Sequence, residues 1–186
     1  MSTIKTTNIT HGSNSGTANM VLASDGKVTI PEKKLYCPGA IVQVVQYIKS
    51  DTWTGGTSFA DITGVSQAIT PTASSSKVLI RYVMNFGKDN QSPTQTLLQR
   101  DIGGAGYGNI QATALGCTTY NYNGDADENH QCIPHFYEYL DSPNTASAVT
   151  YKIQAKIGAG NVYLNRRGGA ATVLNTSYIT LMEVAG

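Results

Sequence analysis

The chain has 186 residues, a net charge of +1, 40% hydrophobic residues and only 13% charged ones. Its length suits one domain with a real core plus an appendage, and its charge gives no electrostatic case for nucleic acid or an anionic membrane. Apolar residues in patterned runs exclude disorder throughout, and the Ser, Thr, Asn, Gln and Gly that replace the missing charges suit β-structure with many turns.

Residues 1–37 differ from the rest. Thr6 to Thr17 is a run of Thr, Asn, Ser and Gly with one His, too polar to pack. No apolar h-region follows Met1, so synthesis in a cytoplasm without a secretory signal is expected. Met20 to Ile30 predicts two short strands turning at Asp25-Gly26, and Pro31 ends them. This is an extended N-terminal arm, suited to ordering on a neighbouring subunit.

Pro38-Gly39 opens the main domain, residues 38–186. Ala40–Lys49 predicts a strand with apolar residues on both faces. Ser50–Thr57 reads as a loop carrying Trp53, the only tryptophan. Ser58–Ile62 and Ser66–Thr70 read as two short strands about a turn at Thr63-Gly64. Lys77–Phe86 puts Val78, Ile80, Tyr82, Met84 and Phe86 on one face by strict alternation. Thr94–Ile102 is a further strand, and Gly103–Gln131 is irregular, rich in Gly and Tyr. Cys132–Leu140 predicts a strand whose Pro134 requires an edge or a bulge. Ala148–Ile157 alternates Val149, Tyr151, Ile153, Ala155 and Ile157 with Thr150, Lys152, Gln154 and Lys156, one dry face and one wet. Asn161–Asn165 and Thr176–Val184 complete the pattern.

No window reads as a helix. About eight to ten short strands at spacings of roughly 8–12 residues predict an all-β chain: a two-sheet antiparallel β-sandwich or jelly roll. In it Lys77–Phe86 faces Ala148–Ile157 across the core, with Lys152 and Lys156 toward water. Ala40–Lys49, apolar on both sides, is the expected subunit interface. A closed oligomer would bury the face that a monomer leaves exposed.

No catalytic, cofactor or metal site is expected. Gly124 to Asn129 offers Asp125 and Asp127 at alternating positions, like half a calcium loop, but His130 and Phe136 stand where an EF-hand needs Gly and Glu. His130, Cys132 and His135 are soft ligands whose strand positions do not converge. Cys132 or a serine with His130 and Asp127 makes a triad only on paper, because no nucleophile-elbow sequence frames it. Cys37, Cys117 and Cys132 have no framework spacing and read as free thiols. Tyr107, Tyr120 and Tyr122 give flat amphipathic area in the irregular stretch, a chemistry that suits sugars or protein surfaces. With Trp53 and the Arg166-Arg167 pair they are the candidate contacts for a receptor or partner.

Five pieces in order carry a resemblance: Pro38-Gly-Ala-Ile-Val-Gln-Val-Val-Gln46; Ile69-Thr-Pro71 with Ser74-Ser-Ser-Lys-Val-Leu-Ile80; Leu140-Asp-Ser-Pro143; Thr150-Tyr-Lys-Ile-Gln154; and Ile179-Thr-Leu-Met-Glu-Val184. Spanning most of residues 38–186, they resemble a family of tailed-bacteriophage virion proteins, common in phages of marine cyanobacteria and described as tail-fibre or structural proteins. The resemblance implies a jelly roll assembled as a homotrimer on the virion, with no catalytic motif. The expected role is a non-enzymatic surface fibre or knob, made in the host cytoplasm. The arm would dock on other virion proteins, and the loops would contact a host-surface glycan. A capsid decoration protein is the alternative, and a carbohydrate-active enzyme a remote one. Neither nucleic acid nor membrane insertion enters.

Overall fold

A computed structural model describes residues 6–10, 20–30, 37–110, 131–169 and 175–186, and the backbone of 118–119. It is all-β, with no helix among the described residues. The chain divides into two units, 1–40 and 41–186.

In the first unit, β1 (Asn8–Ile9), β2 (Met20–Leu22) and β3 (Val28–Thr29) form an antiparallel sheet in that order. The β2–β3 hairpin turns through Asp25 and Gly26, as the sequence predicts. Gly26 takes φ +84, and Asp25 Oδ1 accepts from the Lys27 backbone N–H at 3.1 Å. The Thr6–Thr17 run, expected not to pack, contributes β1, which pairs Asn8 with Val21 and Ile9 with Met20.

The second unit is a sandwich of two antiparallel sheets. Its strands are β4 (Ile41–Lys49), β5 (Trp53–Gly55), β6 (Ala60–Ile69), β7 (Lys77–Lys88), β8 (Thr94–Ile102), β9 (Gly108–Asn109), β10 (Thr118–Thr119), β11 (Ile133–Asp141), β12 (Val149–Ile157), β13 (Val162–Leu164) and β14 (Ser177–Val184). In the first sheet β7 pairs with β11 on one flank. On the other it pairs with β14 over Lys77–Val83 and with β13 over Phe86–Lys88. β4 and β5 line up outside β14 and β13 in the same end-to-end manner. That makes four lanes: β4/β5, β14/β13, β7 and β11. The second sheet is also four lanes wide: β6, β12, β8 and a split lane of β9 and β10. Along the chain the lanes alternate between sheets except at β8 to β9/β10. This is the double Greek-key winding of a jelly roll.

The core lies where the dry faces meet. Val149, Tyr151, Ile153, Ala155 and Ile157 of β12 are all 0% exposed. Facing them from the other sheet are Val78, Ile80, Tyr82, Met84 and Phe86 of β7 with Ile179 and Leu181 of β14. Each such side chain contributes on the order of 2 kcal/mol through burial. Polar side chains also join the sheets. Tyr82 and Thr96 share a buried hydroxyl hydrogen bond of 2.8 Å. Asp141, at the end of β11, takes both carboxylate contacts from Arg100 Nη1 at 2.8 Å and the Tyr151 hydroxyl at 2.7 Å. Burial of the Tyr151 hydroxyl, then its bond to the Asp141 carboxylate, raise its pKa.

Two expectations need correction. The Ser50–Thr57 segment is not all loop. Trp53–Gly55 forms β5 beside β13, with Trp53 paired to Leu164. Ser58–Ile62 and Ser66–Thr70 are not two strands about a reversing turn. Ala60–Ile62 and Ser66–Ile69 are the two ends of one strand, β6, and both pair with β12, Asp61 opposite Gln154 and Ser66 opposite Lys152. The intervening Ile62–Val65 forms a wide bulge, with Gly64 at φ +83. The strand keeps its direction, because both ends pair antiparallel with β12, and Ile62 and Val65 both remain buried.

Candidate assembly face

The side chains that leave the core of the first sheet build its outer surface. Strand alternation and register place them in rows across the four lanes. One row runs Ile48, Tyr178, Val83, Phe136. The next runs Gln46, Thr180, Arg81, Glu138, and the third Val44, Met182, Leu79, Leu140. Two apolar rows therefore flank a polar one.

The apolar rows are open to solvent. Ile48 is 59% exposed, Val44 56%, Phe136 54%, Leu140 47% and Tyr178 36%. Ile41 and Val42, at the start of β4, extend the same exposure. Largest apolar patches on monomers are roughly 300–600 Å² and often functional. The polar row is internally satisfied. Gln46 Nε2 donates to Thr180 Oγ1 at 2.8 Å, and Arg81 Nε pairs with Glu138 Oε2 at 2.8 Å. The Arg81 guanidinium also lies 5.6 Å over the Phe136 ring.

The inner side of the same strands is firmly anchored, so the face is rigid. Glu183 on β14 is fully buried. It accepts from Thr72 N at 2.6 Å, Thr72 Oγ1 at 2.7 Å and Gln43 Nε2 at 2.6 Å. Burial pushes its carboxyl up, but these bonds outweigh that and leave it below the usual range. Asn165 sits where β13 ends, fully buried at φ 60. Its Nδ2 donates to the carbonyls of Lys49 at 2.8 Å and Asp51 at 2.9 Å, while its Oδ1 accepts from Ser177 Oγ at 2.6 Å. One side chain thus ties the β4–β5 corner to the β13–β14 corner.

The outer surface of the second sheet differs in kind. Asp61, Lys152 and Tyr107 line a cleft of about 320 Å³ beside the β6 bulge. Lys152 Nζ pairs with Asp61 Oδ2 at 2.9 Å and stands 4.0 Å over the Tyr107 ring. Gln154 Nε2 gives Asp61 a second bond at 2.8 Å. Hydrogen bonds from Lys152, then from Gln154, hold the Asp61 carboxyl below its ordinary value.

Among the contact residues expected from sequence, Tyr107 is 41% exposed at this cleft. Trp53 is half-buried against the hydrophobic core, its indole folded across Gly55. Arg166 stacks 3.8 Å over Tyr163, and Arg167 is half-buried in a loop that crosses Gly87. Tyr107 precedes β9, Trp53 is on β5, and Arg166 and Arg167 follow β13. Tyr120 and Tyr122 lie outside the described residues, as do Cys117, Asp125, Asp127 and His130. His135 is buried edge-on against Phe86 at 4.9 Å, and Cys132 Sγ accepts from Asn175 Nδ2 at 3.2 Å. Sequence reasoning found β4 as two-faced. It did not find Phe136, Leu140 or Tyr178, whose membership in the face depends on register.

No protein-family model matches the chain, and no curated protein does. Among solved structures, it is similar to the structure of infectious bursal disease virus Gx strain, at 10% identity and a TM-score of 0.38, over 77% of this chain and 37% of that one. It is similar also to the infectious bursal disease virus VP2 subviral particle, at 8% identity and a TM-score of 0.39, over 79% of this chain and 38% of that one. The chain thus spans less than two fifths of the length of either.

Proposed function

We propose that the chain is a non-enzymatic structural subunit of a virion, and that it self-assembles through the outer face of the β4–β14–β7–β11 sheet. The observation that carries the reading is that face: two rows of exposed apolar side chains on a rigid sheet. A solvated monomer gains nothing from such rows, whereas a symmetric assembly buries them. The resemblance to phage virion proteins over residues 38–186 supplies the setting. The arm fits docking on another virion protein, since it leaves Ile9 and Val28 about half exposed. Tyr107, exposed at the rim of the cleft, fits contact with a host-surface glycan in a fibre or knob.

Light scattering on the purified chain tests self-assembly. The mass expected at micromolar concentration is a multiple of the 19.8 kDa chain. The double substitution Val44→Lys with Ile48→Lys should return it to a single-chain mass with the β-sheet circular dichroism spectrum retained, because both side chains point away from the core. A monomeric wild-type chain sinks the reading. Copy number on the particle separates the two virion roles: hundreds of copies means a capsid decoration protein, a few tens or fewer a tail fibre.

A further inference from the structure

The row pattern specifies how two copies meet. We propose that two copies of this chain pack face to face through the outer surface of the β4–β14–β7–β11 sheet, related by a two-fold axis that runs along the strands between β14 and β7. The inference rests on the reading of this face as a self-assembly surface, and it adds the partner and its orientation: a two-fold pair in place of the homotrimer that the resemblance implies.

The argument is one of complementarity. A two-fold axis in the plane of the interface brings a surface against itself. With the axis along the strands, each row meets its own reverse. Apolar rows meet apolar rows, so Val44 of one copy lies opposite Leu140 of the other. Within the polar row Gln46 lies opposite the second Glu138, and Thr180 opposite the second Arg81. The charged half of the row thus meets the neutral half, which supplies an amide donor to the carboxylate and a hydroxyl acceptor to the guanidinium. With the axis turned to run along the polar row, apolar rows still meet. Arg81 then faces Arg81 and Glu138 faces Glu138, and like charges opposed at an interface cost several kcal/mol. The strand-parallel axis is the one without that penalty. The footprint, on the order of 20 by 20 Å for four lanes at sheet spacing, buries roughly 800 Å² over the two copies; it matches a sheet-on-sheet contact and has the size of a weak, reversible interface.

Cross-linking tests the orientation. Start from the full chain with Cys37, Cys117 and Cys132 replaced by Ser, shown by light scattering to keep the wild-type mass. Add either Val44→Cys with Leu140→Cys, or Val44→Cys with Ile48→Cys. A bismaleimide of about 8 Å span bridges packed sheets about 10 Å apart but not outer lanes of one sheet roughly 14 Å apart. The first pair should give a covalent dimer at least ten times faster than the second. The opposite preference overturns the axis.

Charge gives a second readout that needs no cysteine. Gln46→Lys should tighten the dimer severalfold and Gln46→Glu should loosen it at least tenfold, since each new charge faces Glu138. Loosening by both overturns the proposal. A mass of three chains with neither cross-link overturns the pairing but leaves self-assembly standing, whereas a single-chain mass sinks both.

Discussion

Asn165 shows how much one side chain holds. It is fully buried in the left-handed region, which Asn tolerates better than most residues, and its amide satisfies two carbonyls and a hydroxyl. Asn165→Asp would turn an oxygen toward two carbonyl oxygens, leaving buried acceptors facing each other. A loss of roughly 2–4 kcal/mol in chemical denaturation is expected. His135 carries a different signal. Burial, and then the nearby positive charge of Lys88, lower its pKa to about 4, and its Nδ1 is buried without a partner. The folded state therefore binds fewer protons than the unfolded state between pH 6.5 and about 4. Stability is full above pH 6.5 and falls as pH drops through that window, by up to about 3 kcal/mol. Melting temperatures measured across the window should decline in the wild type and decline less in His135→Phe. Equal slopes would remove His135 as the cause.

At the scale of the element, β7 is the spine, with β11 on one flank and β14 and β13 sharing the other. Gly87 lets the Arg166–Gly168 loop cross the end of that strand, since a Cβ there would collide with the backbone of Arg166 and Arg167. Gly87→Ala should cost about 1–3 kcal/mol in thermal unfolding. Period two made β7 and β12 legible, and the structure buries every apolar residue of the β12 alternation. β5 was not legible because three residues are too few to show a period. At Thr63-Gly64 the sequence shows a turn signal and the structure a positive φ, but only the shared partner β12 reveals a bulge instead of a reversal. Asn165 has no signature at all, because its role depends on where Lys49, Asp51 and Ser177 arrive.

For the whole molecule, the two outer surfaces divide the work. One sheet turns apolar rows outward, the other a cleft with Lys152, Asp61 and Tyr107. Lys152→Ile should therefore leave the assembled mass unchanged while lowering solubility. Dissociation on that change would place the interface on the β6–β12–β8 sheet instead. The doubling of apolar character on β4 was readable from alternation alone. The breadth of the face was not, because Leu140 and Tyr178 reach it from strands about a hundred residues away.

The placement of β14 between β4 and β7 also governs timing. Among the described residues β4 has no other neighbour in its sheet, and Gln46 and Thr180 meet across 134 positions of chain. The first strand of the sandwich must wait for the last before its backbone is paired. Such non-local closure places folding in the millisecond-to-second range. The rows that a second copy would recognise come into register only at that closing step. Until then the rows are at most β14, β7 and β11 wide, so the proposed pairing would find its full four-lane face only on a chain that has finished folding.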